Sequence, residues 1–231
     1  MAANDISNAE LTLYTYFRSS CSARVRTAAA LKGITVTSKY VNLLKGEQSA
    51  STYTDNVSPC GTVPAIVIRF PDGSQSTIRQ SMSILEFFEE AFPDKRPLMP
   101  GVDQPLQRAT IRDIINIIGS DVQPKTNSSV IRRMQGLGVE ATDWCNETMV
   151  PGLRSVNAIL QESAGKHSVG DEITLADVFI SPACEAALRW GVDLTPFEAI
   201  TRAYNACKDL PEFVAADWKH QPDTPEQFKA V

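Results

Sequence analysis

Apolar and polar positions change rhythm near the middle of this chain. Residues 11–16 (LTLYTY) alternate apolar and polar with aromatic rings, the two-residue period of a half-buried strand. The chain then runs through Phe17 and Arg18 into Ser19-Ser20-Cys21-Ser22, after which residues 23–32 are rich in alanine and arginine and stop at Gly33. Small hydroxyl residues before such a run and glycine after it answer the orphan amides and carbonyls of a helix, so the spacing predicts a helix over 23–32. Residues 35–41 make a second predicted strand, and 45–53 a weak, polar helix. Residues 65–70 (AIVIRF) and 75–78 read as two strands joined through Pro71-Asp72-Gly73, a hairpin-type connection. Ser81 then opens a helix in which Ile84, Leu85, Phe87, Phe88 and Ala91 fall at helical spacing.

A break follows. Residues 93–101 (PDKRPLMPG) are proline-dense and charged, which suits a linker better than regular structure. Beyond it no strand pattern recurs: Ile111, Ile114, Ile115 and Ile118 form one helical stripe, and 150–162 and 175–190 form others. The predicted division is therefore an α/β domain at 1–93, a linker at 94–104 and an all-α domain at 105–231. In the first domain the order β-α-β-(α)-β-β-α is that of a thioredoxin-like layer. Inside the helical half, Thr174 and Asp177 stand at N-cap and N3 spacing, a capping-box variant that predicts a structural role worth about 0.5–2 kcal/mol.

Composition narrows the chemistry. The chain has 231 residues, 43% hydrophobic and 21% charged, enough to bury roughly 70% of its unfolded surface without a staple. A net charge of -5 leaves no electrostatic footprint for nucleic acid or an anionic membrane. Two histidines cannot build a histidine-rich metal site, and five cysteines without a C-x-x-C pair point to a reducing compartment. The first ten residues lack the apolar core of a secretory signal, and no apolar run approaches about 18 residues. These features predict a soluble, cytoplasmic protein without metal, nucleic acid or membrane partner.

The chemistry-bearing stretch is Tyr16 to Arg26, where three hydroxyls and a thiol sit at a strand-to-helix turn. Unpaired amides and the helix dipole make that position an anion site. A free thiol ionises near pH 8.5, and donors at a helix start can bring that into the physiological range. Either Cys21 is the stabilised thiolate, or the turn stabilises the thiolate of a ligand. Position 24 is Arg24 rather than a resolving cysteine, which disfavours two-cysteine redox chemistry. Val63-Pro64 precedes the third strand, as an ordinary strand entry or as a cis turn exposing the Val63 backbone to an extended ligand. Gln80-Ser81 opens the third helix, with Ser81 either a plain N-cap or a receiver of a ligand carboxylate.

The stretch Tyr16-Phe17-Arg18-Ser19-Ser20-Cys21-Ser22-Ala23-Arg24-Val25-Arg26 closely resembles the S-S-C-S-x-R-V-R signature of maleylacetoacetate isomerases, the zeta class of glutathione transferases. The likeness continues through Ala30 to Ile34, Val41-Asn42-Leu43, Val63-Pro64, Gln80-Ser81, Val169 to Glu172, Val192 to Pro196 and the tail Gln221-Pro222-Asp223-Thr224-Pro225. It implies the glutathione transferase fold, a homodimer, and glutathione as cofactor for cis–trans isomerisation of a small dicarboxylate. It further implies that Ser19, Ser20 and Cys21, with Ser22, Ala23 and Arg24, hold the thiolate end. Val63 and Pro64 then meet the cysteinyl backbone, Gln80 and Ser81 the γ-glutamyl carboxylate, and Gln48 the glycine end. Gln123 with Asn127, Ser128 and Ser129 resembles the family's contact from the helical domain. Arg18, Arg24 and Arg189 are the candidates for substrate carboxylates. Ala23 stands where the family commonly has tryptophan, Ser58-Pro59-Cys60-Gly61 replaces an asparagine-proline run, and the 69–76 hairpin is longer than the family's. Three competing functions use the same turn: conjugation or dehalogenation of α-halo acids, a non-catalytic glutathione-binding module, and a monothiol oxidoreductase.

Overall fold

The computed structural model describes residues 6–230, so the start of the N-terminal stretch discussed above lies outside the described residues. The chain divides into two units, Met1–Pro97 with Val214–Val231, and Leu98–Phe213. The last eighteen residues thus belong with the α/β part, although the sequence pattern grouped them with the helical domain.

In the first unit, β1 (Glu10–Thr15), β2 (Thr37–Tyr40), β3 (Ala65–Arg69) and β4 (Gln75–Arg79) form one sheet in the order β2-β1-β3-β4. β1 and β2 are parallel, joined by α1 (Ser20–Lys32); β1–β3 and β3–β4 are antiparallel. The period-two pattern of β1 buries Leu11, Leu13 and Thr15 on one face, and Ile66 and Ile68 of β3 are buried too. Helices α1 and α3 (Ser81–Ala91) pack on each other and bring Val25, Ala28, Ile84, Leu85 and Phe88 into the core. A second apolar cluster, Tyr16, Phe17, Val41, Tyr53, Val57, Val63 and Ala65, gathers at the ends of β1 and β2 and the start of β3. The polar helix expected over 45–53 shrinks to a 3-10 turn and one α-turn, α2 (Ser51–Thr54). Local side chains fold the approach to it into a turn instead: Asn42 Oδ1 accepts the Leu44 and Lys45 amides, and Glu47 Oε2 accepts the Asn42 amide. In the β3–β4 connection Gly73 takes φ 83°, and Asp72 Oδ1 accepts both the amide and the hydroxyl of Ser74.

The second unit is helical: α4 (Pro105–Asn116), α5 (Ser128–Gly136), α6 (Ala141–Ser163), α7 (Leu175–Arg189) and α8 (Glu198–Cys207). The stripe Ile111, Ile114, Ile115 and Ile118 is buried, with the last of these in a π-turn, Ile117–Val122, that continues α4. Buried Asn157 of α6 caps α8 from outside, its Oδ1 accepting the Ala199 and Ile200 amides. At the start of α7 the reciprocal box forms: Thr174 Oγ1 accepts the Ala176 amide at 3.2 Å, and Asp177 Oδ2 accepts the Thr174 amide at 2.9 Å. Asp177 Oδ1 also accepts the Ser168 amide at 2.9 Å and its hydroxyl at 2.6 Å, which ties down the preceding loop. His167 and Cys207 adjoin this carboxylate, and the three donor atoms lie within 4.8 Å of one another. Metal ligands have such spacing, but the Asp177 oxygens already face four protein donors, so the group is a buried hydrogen-bond network.

Candidate active site

The helix after β1 begins three residues earlier than its composition indicates, at Ser20, so the hydroxyl-rich turn is itself the first turn of α1. Ser19 is the N-cap, with extended backbone (φ -76°, ψ 113°), and its Oγ accepts the Ser22 amide at 3.1 Å. The Ser19 carbonyl accepts the Ala23 amide at 2.9 Å. The amides at the very start of a helix have no intrahelical acceptor, and here those of Ser20 and Cys21 open the turn beside the half-exposed Ser20 hydroxyl and Cys21 thiol. No acidic residue stands within this first turn to offset the positive end of the helix.

Arg24 adds a fixed cation. It is 2% exposed, and its Nη1 lies 3.6 Å from Cys21 Sγ and 3.3 Å from Ser81 Oγ. Burial lowers its pKa, the nearby Cys21 opposing that shift, and the fork stays charged as arginine does in proteins. Its burial turns it toward Cys21 and Ser81 rather than toward solvent. One guanidinium thus links the thiol-bearing turn to the start of α3. Ser81 is the first residue of that helix rather than its cap. The cap is Gln80, at φ 71° and ψ 131°, among the described residues the single non-glycine with positive φ. Such a backbone costs energy for a side-chain-bearing residue and clusters at ligand sites.

Val63-Pro64 is a cis peptide immediately before β3. Gln48, in the 3-10 turn, comes close to the 58–61 loop: a Cβ at Gly61 would meet the Gln48 carbonyl at 3.1 Å. Gln48 Oε1 is buried and accepts no hydrogen bond among the described residues, which suits an incoming N–H. Arg18, half-exposed, holds its guanidinium 5.7 Å from the Phe17 ring centroid. Ala23 is buried in α1.

The remaining expected residues lie in the helical unit. Gln123 follows the π-turn and its amide donates to Asn127 Oδ1; Asn127 caps α5, which Ser128 and Ser129 open. Arg189 ends α7 with its guanidinium 5.8 Å from the Trp190 ring centroid. Cys145 of α6 is near enough to feel that charge, yet burial pushes its thiol up to about 11, so it stays protonated. Two features escaped the sequence: the Gln80 backbone, and a grip on Phe17 by Arg26 and Asp223, described below. The Q-P-D-T-P tail was the visible signal for the second, without a role attached.

Residues 18–91 match the family model described as glutathione S-transferase, N-terminal domain, and the thioredoxin-like sheet followed by helices is the glutathione transferase fold. Over 226 residues the chain is 45% identical to maleylacetoacetate isomerase of Emericella nidulans, covering 96% of this chain and 98% of that one. It is 41% identical to the maleylacetoacetate isomerase of Rattus norvegicus, covering 94% and 96%. The crystal structure of maleylacetoacetate isomerase from Anaeromyxobacter dehalogenans, with dicarboxyethyl glutathione and citrate bound in the active site, superposes with a TM-score of 0.84 at 33% identity, covering 95% and 96%. The chain belongs to the maleylacetoacetate isomerase family of zeta-class glutathione transferases.

Proposed function

We infer that this protein is a glutathione-dependent enzyme that converts maleylacetoacetate to fumarylacetoacetate. The observation that carries the reading is the α1 start: a helix N-terminus free of acidic residues, a hydroxyl on its first residue, and a buried arginine joining it to Ser81. These donors suit an ionised sulfur at one end and a carboxylate at the other. Bound there, glutathione supplies a thiolate that adds reversibly to the cis double bond, so that the intervening single bond can turn before elimination.

The chain's own groups do the rest. Ser20, with the first amides of α1, holds the sulfur ionised, assisted by Ser19 and by Cys21. Arg24 stabilises that negative charge from within the protein and engages Ser81: because the Ser81 oxygen accepts from Arg24, its hydroxyl proton is left to donate to a ligand. Gln80 and Ser81 hold the γ-glutamyl carboxylate, Val63 the cysteinyl backbone, and Gln48 the glycine end. Arg18 and Arg189 are assigned to the substrate's carboxylates, which a guanidinium can meet with two parallel bonds. Gln123, Asn127, Ser128 and Ser129 complete the glutathione contacts. The working form is placed in the cytoplasm as a homodimer.

Product analysis with and without glutathione tests the reading. Formation of fumarylacetoacetate that requires glutathione without consuming it supports isomerisation. Stoichiometric loss of glutathione into an adduct would replace isomerisation by conjugation.

A further inference from the structure

The strand end that leads into the thiol turn is held from two sides by groups far apart in sequence. Arg26, inside α1 and 8% exposed, donates Nη1 to Thr15 Oγ1 at 2.9 Å and to the Tyr16 carbonyl at 3.4 Å. Its Nη2 reaches the Phe17 carbonyl at 3.2 Å and the Ala216 carbonyl at 2.9 Å, and its Nε reaches Ala216 again at 3.1 Å. From the tail, Asp223 Oδ2 accepts the Phe17 amide at 2.8 Å across 206 residues of sequence. The two ends of one residue, its N–H and its C=O, are thereby fixed by a carboxylate and a guanidinium. Asp223 is presented by a compact tail: Gln221 Nε2 donates to the Ala215 and Asp217 carbonyls, and the Thr224 hydroxyl to the Trp218 carbonyl.

Phe17 is 2% exposed and lies beyond the last ladder residue of β1, so its amide takes no part in the sheet. Without Asp223 that buried donor has no acceptor, and leaving one unmade is expensive. The segment can recover a partner only by moving toward water, and Ser19 and Ser20 lie two and three residues along the same chain.

We propose that Asp223, working with Arg26, is a positioning residue for the isomerase: it fixes the Phe17 peptide and through it the geometry of the Ser19–Cys21 turn around the glutathione sulfur. The C-terminal tail is then part of the active-site scaffold. This rests on the functional reading above. It goes further in assigning a catalytic consequence to a residue that touches neither sulfur nor substrate.

Electrostatics makes the test decisive. A carboxylate near a thiolate raises the thiol's pKa by repulsion, so deleting its charge alone must lower that pKa. Loss of the turn's geometry must raise it. The thiol of bound glutathione is titrated by thiolate ultraviolet absorbance in the native protein, Asp223→Ala and Asp223→Asn, alongside kcat. Asp223→Ala is expected to raise the pKa and lower kcat by about 10- to 100-fold, the scale of a small misplacement. Asp223→Asn, whose amide oxygen can still accept the Phe17 N–H, is expected to recover most of both. An unchanged or lowered pKa in Asp223→Ala overturns the proposal, as does an Asn variant that falls as far as the alanine one. If Asp223→Ala does not fold, Asp223→Glu takes its place: it keeps the charge but displaces the carboxylate, and must raise the pKa likewise. A native complex whose glutathione is not ionised near neutrality defeats the functional reading instead, before any variant is compared.

Discussion

Two helix starts in this chain use the same materials for opposite ends. At α7, Thr174 and Asp177 cap each other, Ser168 adds two more donors to the carboxylate, and the site is buried and satisfied. At α1, Ser19 caps a single amide, no carboxylate enters the first turn, and a buried arginine adds positive charge beside a half-exposed hydroxyl and thiol. A helix end that is saturated contributes to folding and can bind nothing; one left partly open is a site for an anion. Substitutions at the two ends should therefore separate, one set acting on turnover and the other on stability.

The largest expected effect is at the open end. Ser20→Ala removes a donor aimed at charge and should lower kcat by about 10²–10³-fold. Its denaturation midpoint should stay near the native value, because Ser20 makes no cap bond. Steady-state kinetics beside a urea titration measures both, and full turnover in the variant would show the hydroxyl to be dispensable.

At the saturated end, Asp177→Ala should destabilise by about 3 kcal/mol, since it strips the acceptor from buried Ser168 and Thr174 donors at once. This exceeds the 0.5–2 kcal/mol expected from an isolated cap, because the Ser168 bonds cross a loop and carry no local spacing signal. The folded fraction should keep native kcat. A loss below about 1 kcal/mol would mean that the network relaxes without its carboxylate.

How much of this was legible follows the range of each interaction. The strand-to-helix turn, the hairpin and the Thr174–Asp177 box depend on neighbours a few residues apart, and the sequence displays them. Composition puts the start of α1 three residues late because serines signal a cap as readily as a first turn, and only geometry shows that Ser19 alone is the cap. The polar pattern over 45–53 suggests a longer helix than forms, since Asn42 takes the Leu44 and Lys45 amides and Glu47 takes the Asn42 amide in a local turn. Ser81 lost its cap role to Gln80, whose positive φ no composition announces. The Phe17–Asp223 bond spans the chain, so a tail with a clear motif still gave no hint of its partner.

Ser19 tests whether the two ends can be interconverted. Ser19→Ala should cost about 1 kcal/mol through the lost Ser22 bond. Ser19→Asp should restore that stability, because aspartate caps as well as serine does. It also brings a carboxylate to the sulfur's side of α1, so bound glutathione should become harder to ionise and kcat should fall while the denaturation midpoint recovers. Recovery of stability and activity together would show that the missing acidic residue at α1 has no bearing on the chemistry.

The smallest effect concerns the carboxylate that holds Phe17. Burial raises Asp223 above its ordinary value of 3.8; the Phe17 amide and the Arg26 charge oppose that shift but do not overcome it. Oδ1 is buried and accepts no hydrogen bond among the described residues. A raised carboxyl binds its proton more tightly in the folded chain than in the unfolded one, so stability declines as pH rises through the window between the two values. Above the folded value the native protein bears that cost in full, and below 3.8 it bears none. Asp223→Asn, always neutral, should therefore be somewhat more stable than the native protein at neutral pH, with the gain shrinking to nothing in acid. Urea midpoints at neutral pH and below the ordinary carboxyl range measure the difference. An Asn variant less stable at neutral pH would mean that attraction to Arg26 outweighs burial. The open end of α1 would then be held by a net favourable attraction between Asp223 and Arg26 rather than by a charge kept in place at some cost to the fold.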